Sequence, residues 1–458
     1  MSYDLVIIGA GLAGMTAALK ALQQGMKTIV VSAGASTMNF MSGCLDVCGS
    51  DENPWLALRK LASGNPGHPY ALLKEEEIHE ALLFYVEQTK ESCPYHYQNG
   101  FHNFCIPTAF GNQRCTCLLP EGQLAAAGAE GSVLVVGLKG YRDFCAGLMV
   151  EGIQKKGYQG WQAAEVDLGC LQPPGSGTAG KGRSLNNLNN NVEIAARLEQ
   201  NWQLLAEELR GKVQGFDAVA FPAVLGMDQH LLVKRGLEES LGVKVFEVPT
   251  IPPSLPGVRL ARSLAAKIRH LGGDLLQGFP VAAADLEGRF CSSVVVSTPG
   301  RPRQIKGKSF ILATGGILGG GIMLEHEDAS EVVFHLPVSN LGVDIYTQVD
   351  PHPTQAVPSG DGNQGRNQAL QGQQSAAFSQ PQVSAPRRQT SIFQAGVRVN
   401  QKMQPLDVDG GVLLENVFCA GKVLAGYDPF SEGSGAGVAI ATGYKAVVEA
   451  RRMMADEQ

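Results

Sequence analysis

Apolar and polar positions in the first part of the chain switch between two spacings. Residues 3–8 form a short, nearly continuous apolar run. Residues 15–24 repeat apolar side chains at helical spacing and close on Gly25, and residues 27–31 form a second apolar run. Strand, tight turn, helix, strand is a βαβ unit, whose two strands run parallel. Further on, residues 173–191 are small and polar and predict a surface loop, with Asn191 capping a helix over 192–210. Ile194, Leu198, Trp202, Leu205 and Leu209 give that helix one apolar face, and residues 260–271 predict another helix, ended by Gly272 and Gly273. Between 354 and 389 the only large apolar residues are Val357, Leu370, Phe378 and Val383. That is too little apolar surface to offset ordering entropy, so a long mobile loop is expected there. Strand-like pieces return at 396–399, 412–414 and 417–420, followed by a helix over 436–453, and no internal repeat is visible.

Composition narrows the class. A chain of 458 residues with 44% hydrophobic content is long enough for two domains or one interleaved domain with a real core. The formal net charge of −6 is spread without long like-charge blocks, which argues against a nucleic-acid groove or a polybasic membrane patch. The ten cysteines contain no C-x-x-C, so neither a disulfide framework nor a zinc or iron–sulfur site is indicated, and a reducing cytoplasm fits. The most apolar windows, 5–19 and 310–324, are too short and glycine-rich to span a bilayer, and the start of the chain lacks the order of a signal peptide.

The candidate chemistry begins at Gly9, Ala10, Gly11, Leu12, Ala13 and Gly14, a G-x-G-x-x-G run that follows a strand and opens a helix. In such a turn the first glycine bends the chain, the second admits a phosphate to the backbone, and the third lets helix and strand pack closely. The second strand should then end on Asp or Glu to hold an adenosine ribose, but here it ends on Ser32. Two later stretches extend the pattern. Residues 310–316 (FILATGG) run an apolar strand into Thr314 and Gly315, and residues 415–422 (ENVFCAGK) run another into Gly421 and Lys422. Gly433 and Gly435 then precede the last helix.

This order resembles that of two-dinucleotide-binding-domain flavoproteins. The stretches FMSGCLDV (40–47), IPTAFGNQRCTCLLP (106–120), VGLKGYRDF (136–144), FDAVAFPAVLG (216–226), IPPSLPGVRL (251–260) and LAGYDPFSEGSGAGVAIATG (424–443) make it closer. Together they resemble the B subunits of anaerobic glycerol-3-phosphate dehydrogenases, over nearly the whole chain outside the two polar loops. The resemblance implies an α/β fold: a Rossmann-like parallel sheet of the FAD/NAD(P)-binding type with an inserted α+β cap. The nucleotide-binding domain would be discontinuous, from 1–50, about 300–345 and 395–458, and about 50–300 would form the cap together with some core strands. It implies FMN as cofactor, with FAD as the alternative, and Ser42 and Gly43 as contacts in the loop that passes over the flavin. Lys422 stands where such flavoproteins commonly carry an acidic residue, and is either a phosphate partner or a solvated lysine.

The family reaction is oxidation of sn-glycerol 3-phosphate to dihydroxyacetone phosphate. The resemblance implies two partners, a separate catalytic flavoprotein (the A subunit) and an iron–sulfur, membrane-anchoring protein (the C subunit), with electrons passed to menaquinone and then to fumarate or nitrate. The chain would be cytoplasmic and held at the inner membrane through a partner. Arg259 and Arg398 are candidate cations for the substrate phosphate, and His230, His335 and His352 are candidate bases. Asp428 and Glu432 lie close in sequence to the expected flavin, where a helix-capping role is the competing reading. An electron-transfer protein that binds no substrate, and a stand-alone reductase of the fumarate reductase type, are the alternatives.

Overall fold

A computed structural model describes residues 2–49, 53–167, 191–325, 328–339 and 391–456. The expected opening unit is present as β1 (Ser2–Ile8), α1 (Leu12–Gln23) and β2 (Thr28–Ser32). The two strands pair parallel from Leu5 opposite Thr28 to Ile8 opposite Val31. After two helices, Pro54–Gly64 and Glu75–Thr89, comes an antiparallel hairpin, β3 (Phe104–Pro107) and β4 (Gln113–Thr116). Strands and helices then alternate: β5 (Val133–Leu138), α2 (Ala146–Gln154), β6 (Trp161–Val166), α3 (Asn191–Leu209), β7 (Ala218–Pro222), α4 (His230–Leu241) and β8 (Lys244–Val248). These four strands make one sheet in the order β8-β7-β5-β6, parallel throughout. All six residues of β5 are buried, as a strand covered on both faces must be. The inserted segment is thus a mixed α/β unit with its own hydrophobic core and a parallel sheet at its centre.

The chain then returns to the first sheet through α5 (Leu255–His270), β9 (Asp274–Gln277), β10 (Val281–Glu287), β11 (Phe290–Val296) and β12 (Arg303–Leu312). β13 (Val417–Cys419) and α6 (Gly435–Asp456) complete it. The seven strands run β9-β2-β1-β12-β11-β10, with β13 also on β12. β12 is long enough to serve two partners on one edge. Residues 303–306 pair antiparallel with β11, and residues 310–312 pair parallel with β13. Residues 274–296 therefore belong to the first sheet, as core strands within the 50–300 region.

Helix α1 packs closely on α6, because a Cβ at Gly443 would lie 2.4 Å from the carbonyl oxygen of Ala13. Other boundaries shift for local reasons. Pro256 sits in the first turn of α5, where its missing N–H costs nothing, so that helix starts five residues earlier than its apolar pattern indicates. In α3 Asn201 leaves helical geometry at φ −131°, and its side chain bonds back to the Arg197 carbonyl. Residues 412–414 form no strand, only an isolated bridge from Val412 to Leu406. The predicted loop at 354–389, and all of the 173–191 loop except Asn191, lie outside the described residues.

Candidate functional site

The ends of β1, β12 and β13 lie side by side, and the motif glycines explain how they approach. Gly9 has φ +115°, and a Cβ there would sit 2.1 Å from the carbonyl oxygen of Ala313. A Cβ at Gly14 would sit 2.0 Å from the carbonyl of Gly9, whereas one at Gly11 would meet no atom within 4 Å. Two of the glycines are thus packing requirements and the third opens space. Gly11 is the N-cap of α1 and offers no side-chain cap, so the first N–H groups of that helix face the open position. Ala10, Leu12 and Ala13 are buried around it.

After β12, Thr314 has a buried hydroxyl oxygen with no hydrogen-bond partner, lying against Gly321, and Gly315 follows at φ +86°. Gly421, at φ +75°, faces Ala13 and donates its N–H to the Thr442 hydroxyl at 2.9 Å. Lys422 is no solvated lysine: it is mostly buried, its ammonium lies 4.6 Å from the Tyr427 ring centroid, and the Ala395 and Leu424 carbonyls lie at 3.4 and 3.3 Å. Burial pulls its pKa down to about 8, against the opposing pull of Asp428 and Glu432.

At the start of α6, Gly433 has φ +61° and packs on Gly49, and Gly435 packs on Pro429. The Gly437 N–H donates to the Asp46 carbonyl at 2.9 Å, which ties the loop after β2 to this helix end. Glu432 is wholly engaged. One carboxylate oxygen accepts the Asp428 N–H at 3.0 Å, and the other meets the Ser434 hydroxyl at 2.7 Å and His68 Nε2 at 3.2 Å. His68, absent from the sequence candidates, accepts the Tyr70 N–H on Nδ1, which assigns its proton to Nε2, toward Glu432. Asp428 caps the short helix Pro429–Glu432.

The loop after β2 holds a second polar group. Arg114, from β4, donates to the Ser42 hydroxyl at 2.7 Å and to Asp46 Oδ2 at 2.5 Å. The other oxygen of Asp46, Oδ1, is buried without a partner. Gly43 has φ +89°, and a Cβ there would press on Pro256 of α5. Arg114 and Asp46 escape a sequence reading because a hairpin brings them together across 68 positions. The only available signal was that both lie in stretches that carry the family resemblance.

The remaining candidates lie elsewhere or are occupied. Arg259 is buried, with its guanidinium forked onto Glu247 at 2.6 and 3.0 Å and its Nε on the Gly226 carbonyl. His230 faces that pair, and burial, aided by the Arg259 charge, pulls its pKa down to about 4. Arg398 is exposed and holds the carbonyls of Asp407 and Val408. His335 is exposed on a turn at φ +55°, and His352 lies outside the described residues. Ser32 donates its hydroxyl to the Gly34 carbonyl at 2.7 Å, and so closes its own turn. Among the described residues no helix is long and apolar enough to cross a membrane, and no group of three or more His, Cys, Asp or Glu could hold a metal ion.

A comparison with family models matches residues 4–438 to the FAD binding domain family. The chain belongs to that family. Its members are flavoproteins of mixed α/β fold built on a parallel sheet, and the chain is a FAD-dependent-type oxidoreductase. Among curated proteins it is similar to the B subunit of anaerobic glycerol-3-phosphate dehydrogenase from Vibrio vulnificus strain YJ016. That relative is 29% identical over 463 residues, which cover 98% of this chain and 96% of the relative. The protein of the same name from Actinobacillus pleuropneumoniae serotype 5b is 27% identical, over 96% of this chain and 97% of its own length. Among solved structures, the open conformation of a flavocytochrome c3 fumarate reductase aligns with a TM-score of 0.42 and 11% identity, over 98% of this chain and 78% of that one.

Proposed function

We propose that this chain is the flavin-carrying B subunit of an anaerobic glycerol-3-phosphate dehydrogenase that oxidises sn-glycerol 3-phosphate to dihydroxyacetone phosphate. The observation that carries the flavin is the open position at Gly11 before the N–H groups of α1, a cradle beside strand ends that pack closely through Gly9 and Gly14. A flavin phosphate would occupy that position. Gly9, Gly14, Gly315 and Gly421 shape the walls, while Ser42, Gly43, Gly433 and Gly435 shape the loop and helix end beyond. Lys422 supplies a cation at the cradle's edge. Bound there, the flavin supplies the two-electron acceptor of the reaction.

The chain's own chemistry then falls to the pair formed by Arg114 and Asp46. We assign the phosphate-binding cation to Arg114, whose side chain stays 34% exposed beside Ser42 and Asp46, in place of Arg259, which is buried on Glu247, and Arg398, which holds backbone carbonyls. Asp46 Oδ1, buried beside it without a partner, is the group we assign to take the substrate hydroxyl proton. FMN is the preferred flavin, because the turn at Ser32 presents no carboxylate to an adenosine ribose. The catalytic flavoprotein and the iron–sulfur membrane anchor of such a dehydrogenase, its A and C subunits, are the partners: a chain with no iron–sulfur ligand cluster among its described residues needs another protein to reach quinone.

Two measurements test this. Acid release of the bound flavin followed by chromatography is expected to yield FMN, and FAD would place an adenosine ribose against Ser32 without a carboxylate. Addition of sn-glycerol 3-phosphate to the isolated chain is expected to bleach the flavin, and Asp46→Asn is expected to slow the bleaching about a hundredfold. The occupied state of Arg259 and Arg398 favours one second reading, an electron-transfer protein that binds no substrate. In that case bleaching would occur only after the flavoprotein partner is added.

A further inference from the structure

The hairpin that delivers Arg114 carries two cysteines on its other face. Cys105 and Cys115 stand directly opposite each other in the register of β3 and β4, with their sulfur atoms 3.4 Å apart. The Thr108 N–H bonds to the Asn112 carbonyl, which makes 108 and 112 a hydrogen-bonded pair. Alternation then makes Pro107 and Gln113 a non-bonded pair, the only kind that proline tolerates, and Cys105 and Cys115 the next one. In a non-hydrogen-bonded pair the Cα atoms lie about 4.5 Å apart with their side chains close, which is within the span of a disulfide. Cys105 is exposed and lines a cavity of about 620 Å³ with His102, Glu130, Lys156 and Trp161, whereas Cys115 is half-buried. A molecule in the cavity therefore meets Cys105, and Cys115, which does not line it, is reached through Cys105.

We propose that Cys105 and Cys115 form a reversible dithiol–disulfide couple, oxidised by small-molecule disulfides that enter this cavity. The Cys105 thiolate attacks one sulfur of the small disulfide, breaks its S–S bond, and releases one small thiol. The Cys115 thiolate then attacks Cys105 Sγ in the mixed disulfide and expels the second small thiol. The protein loses two protons and two electrons, and the small disulfide is reduced to two thiols. Among the described residues the other cysteines do not compete as a pair: Cys44, Cys48, Cys93, Cys117, Cys291 and Cys419 are buried, and Cys145 is exposed with no other described thiol in contact.

The test uses the full chain with Cys145→Ser and Cys170→Ser, treated with oxidised glutathione and read by intact mass. The expected product is loss of two hydrogens with no adduct, reversed by dithiothreitol. Adding Cys115→Ser should stop the reaction at one stable adduct on Cys105, and adding Cys105→Ser should slow any adduct at least tenfold. Trypsin cleavage after Arg114 separates the two cysteines, and fragmentation of the linked peptides 91–114 and 115–139, which also carry Cys93 and Cys117, assigns the bond in the unsubstituted protein as well. Persistent single or double adducts with both cysteines present, or no reaction under conditions where Cys145 of the unsubstituted protein is modified, would overturn the proposal.

Discussion

Gly9 and Gly11 are two residues apart and share a motif, yet they answer to different physics. At Gly9 a methyl group would meet the Ala313 carbonyl with φ at +115°, so Gly9→Ala should destabilise the fold by about 3 kcal/mol or more, read in urea unfolding. At Gly11 a methyl group meets nothing and the backbone is extended, so Gly11→Ala should fold normally. It should still lose roughly tenfold in flavin affinity, because the methyl group enters the space the phosphate needs. Equal stability losses in both variants would remove the distinction. Lys422 provides a third test. Its pKa is held at about 8 in the fold against 10.5 when exposed, so the unfolded chain binds the extra proton between those values. The cost of burying the charge is fully present below pH 8 and fades as pH rises toward 10.5. In flavin-free protein, Lys422→Met should therefore be more stable than the parent at pH 7, by on the order of 3 kcal/mol, with the gain shrinking above pH 8. A gain that does not change between pH 7 and 10 would contradict that assignment.

Whole elements differed in how much of them could be read from the residues alone. The opening β1-α1-β2 unit, the strand before Thr314 and the helix α6 were legible because glycines punctuate them. The strands β5 and β7 were not. Residues 133–138 and 218–222 are buried throughout, so they show no alternation, and a short apolar run of that kind is indistinguishable from a buried helix segment. Arg259 shows the same limit for a site. Its place just before an apolar helix pattern suits an anion-binding cation, and nothing local reveals that Glu247 of β8 will cross to it. Because the pair is buried, Glu247→Gln should cost about 3–5 kcal/mol by leaving the guanidinium without a counter-charge. The folded fraction should keep its flavin and its substrate response. A variant that stays stable and loses affinity for sn-glycerol 3-phosphate would return Arg259 to the phosphate site.

At the scale of the molecule, the two sheets are assembled in opposite ways. The inserted sheet draws its four strands from one run, 133–248, whereas the first sheet collects strands from 2–32, 274–312 and 417–419. Three neighbouring pairs of the first sheet, β2 with β9, β1 with β12 and β12 with β13, are thus separated by about a hundred residues or more, an arrangement that delays folding because loop closure comes before the contacts that reward it. On a ribosome the inserted unit can condense while the strands flanking it still wait for partners. The cradle cannot close until β13 and α6 have emerged, so flavin capture comes after nearly all of the chain has been made. Chains cut before residue 417 should keep a protease-resistant core over the inserted unit and hold no flavin. Until β13 has emerged, the edge of β12 at residues 310–312 stands open, and the cell must shield it for as long as translation takes.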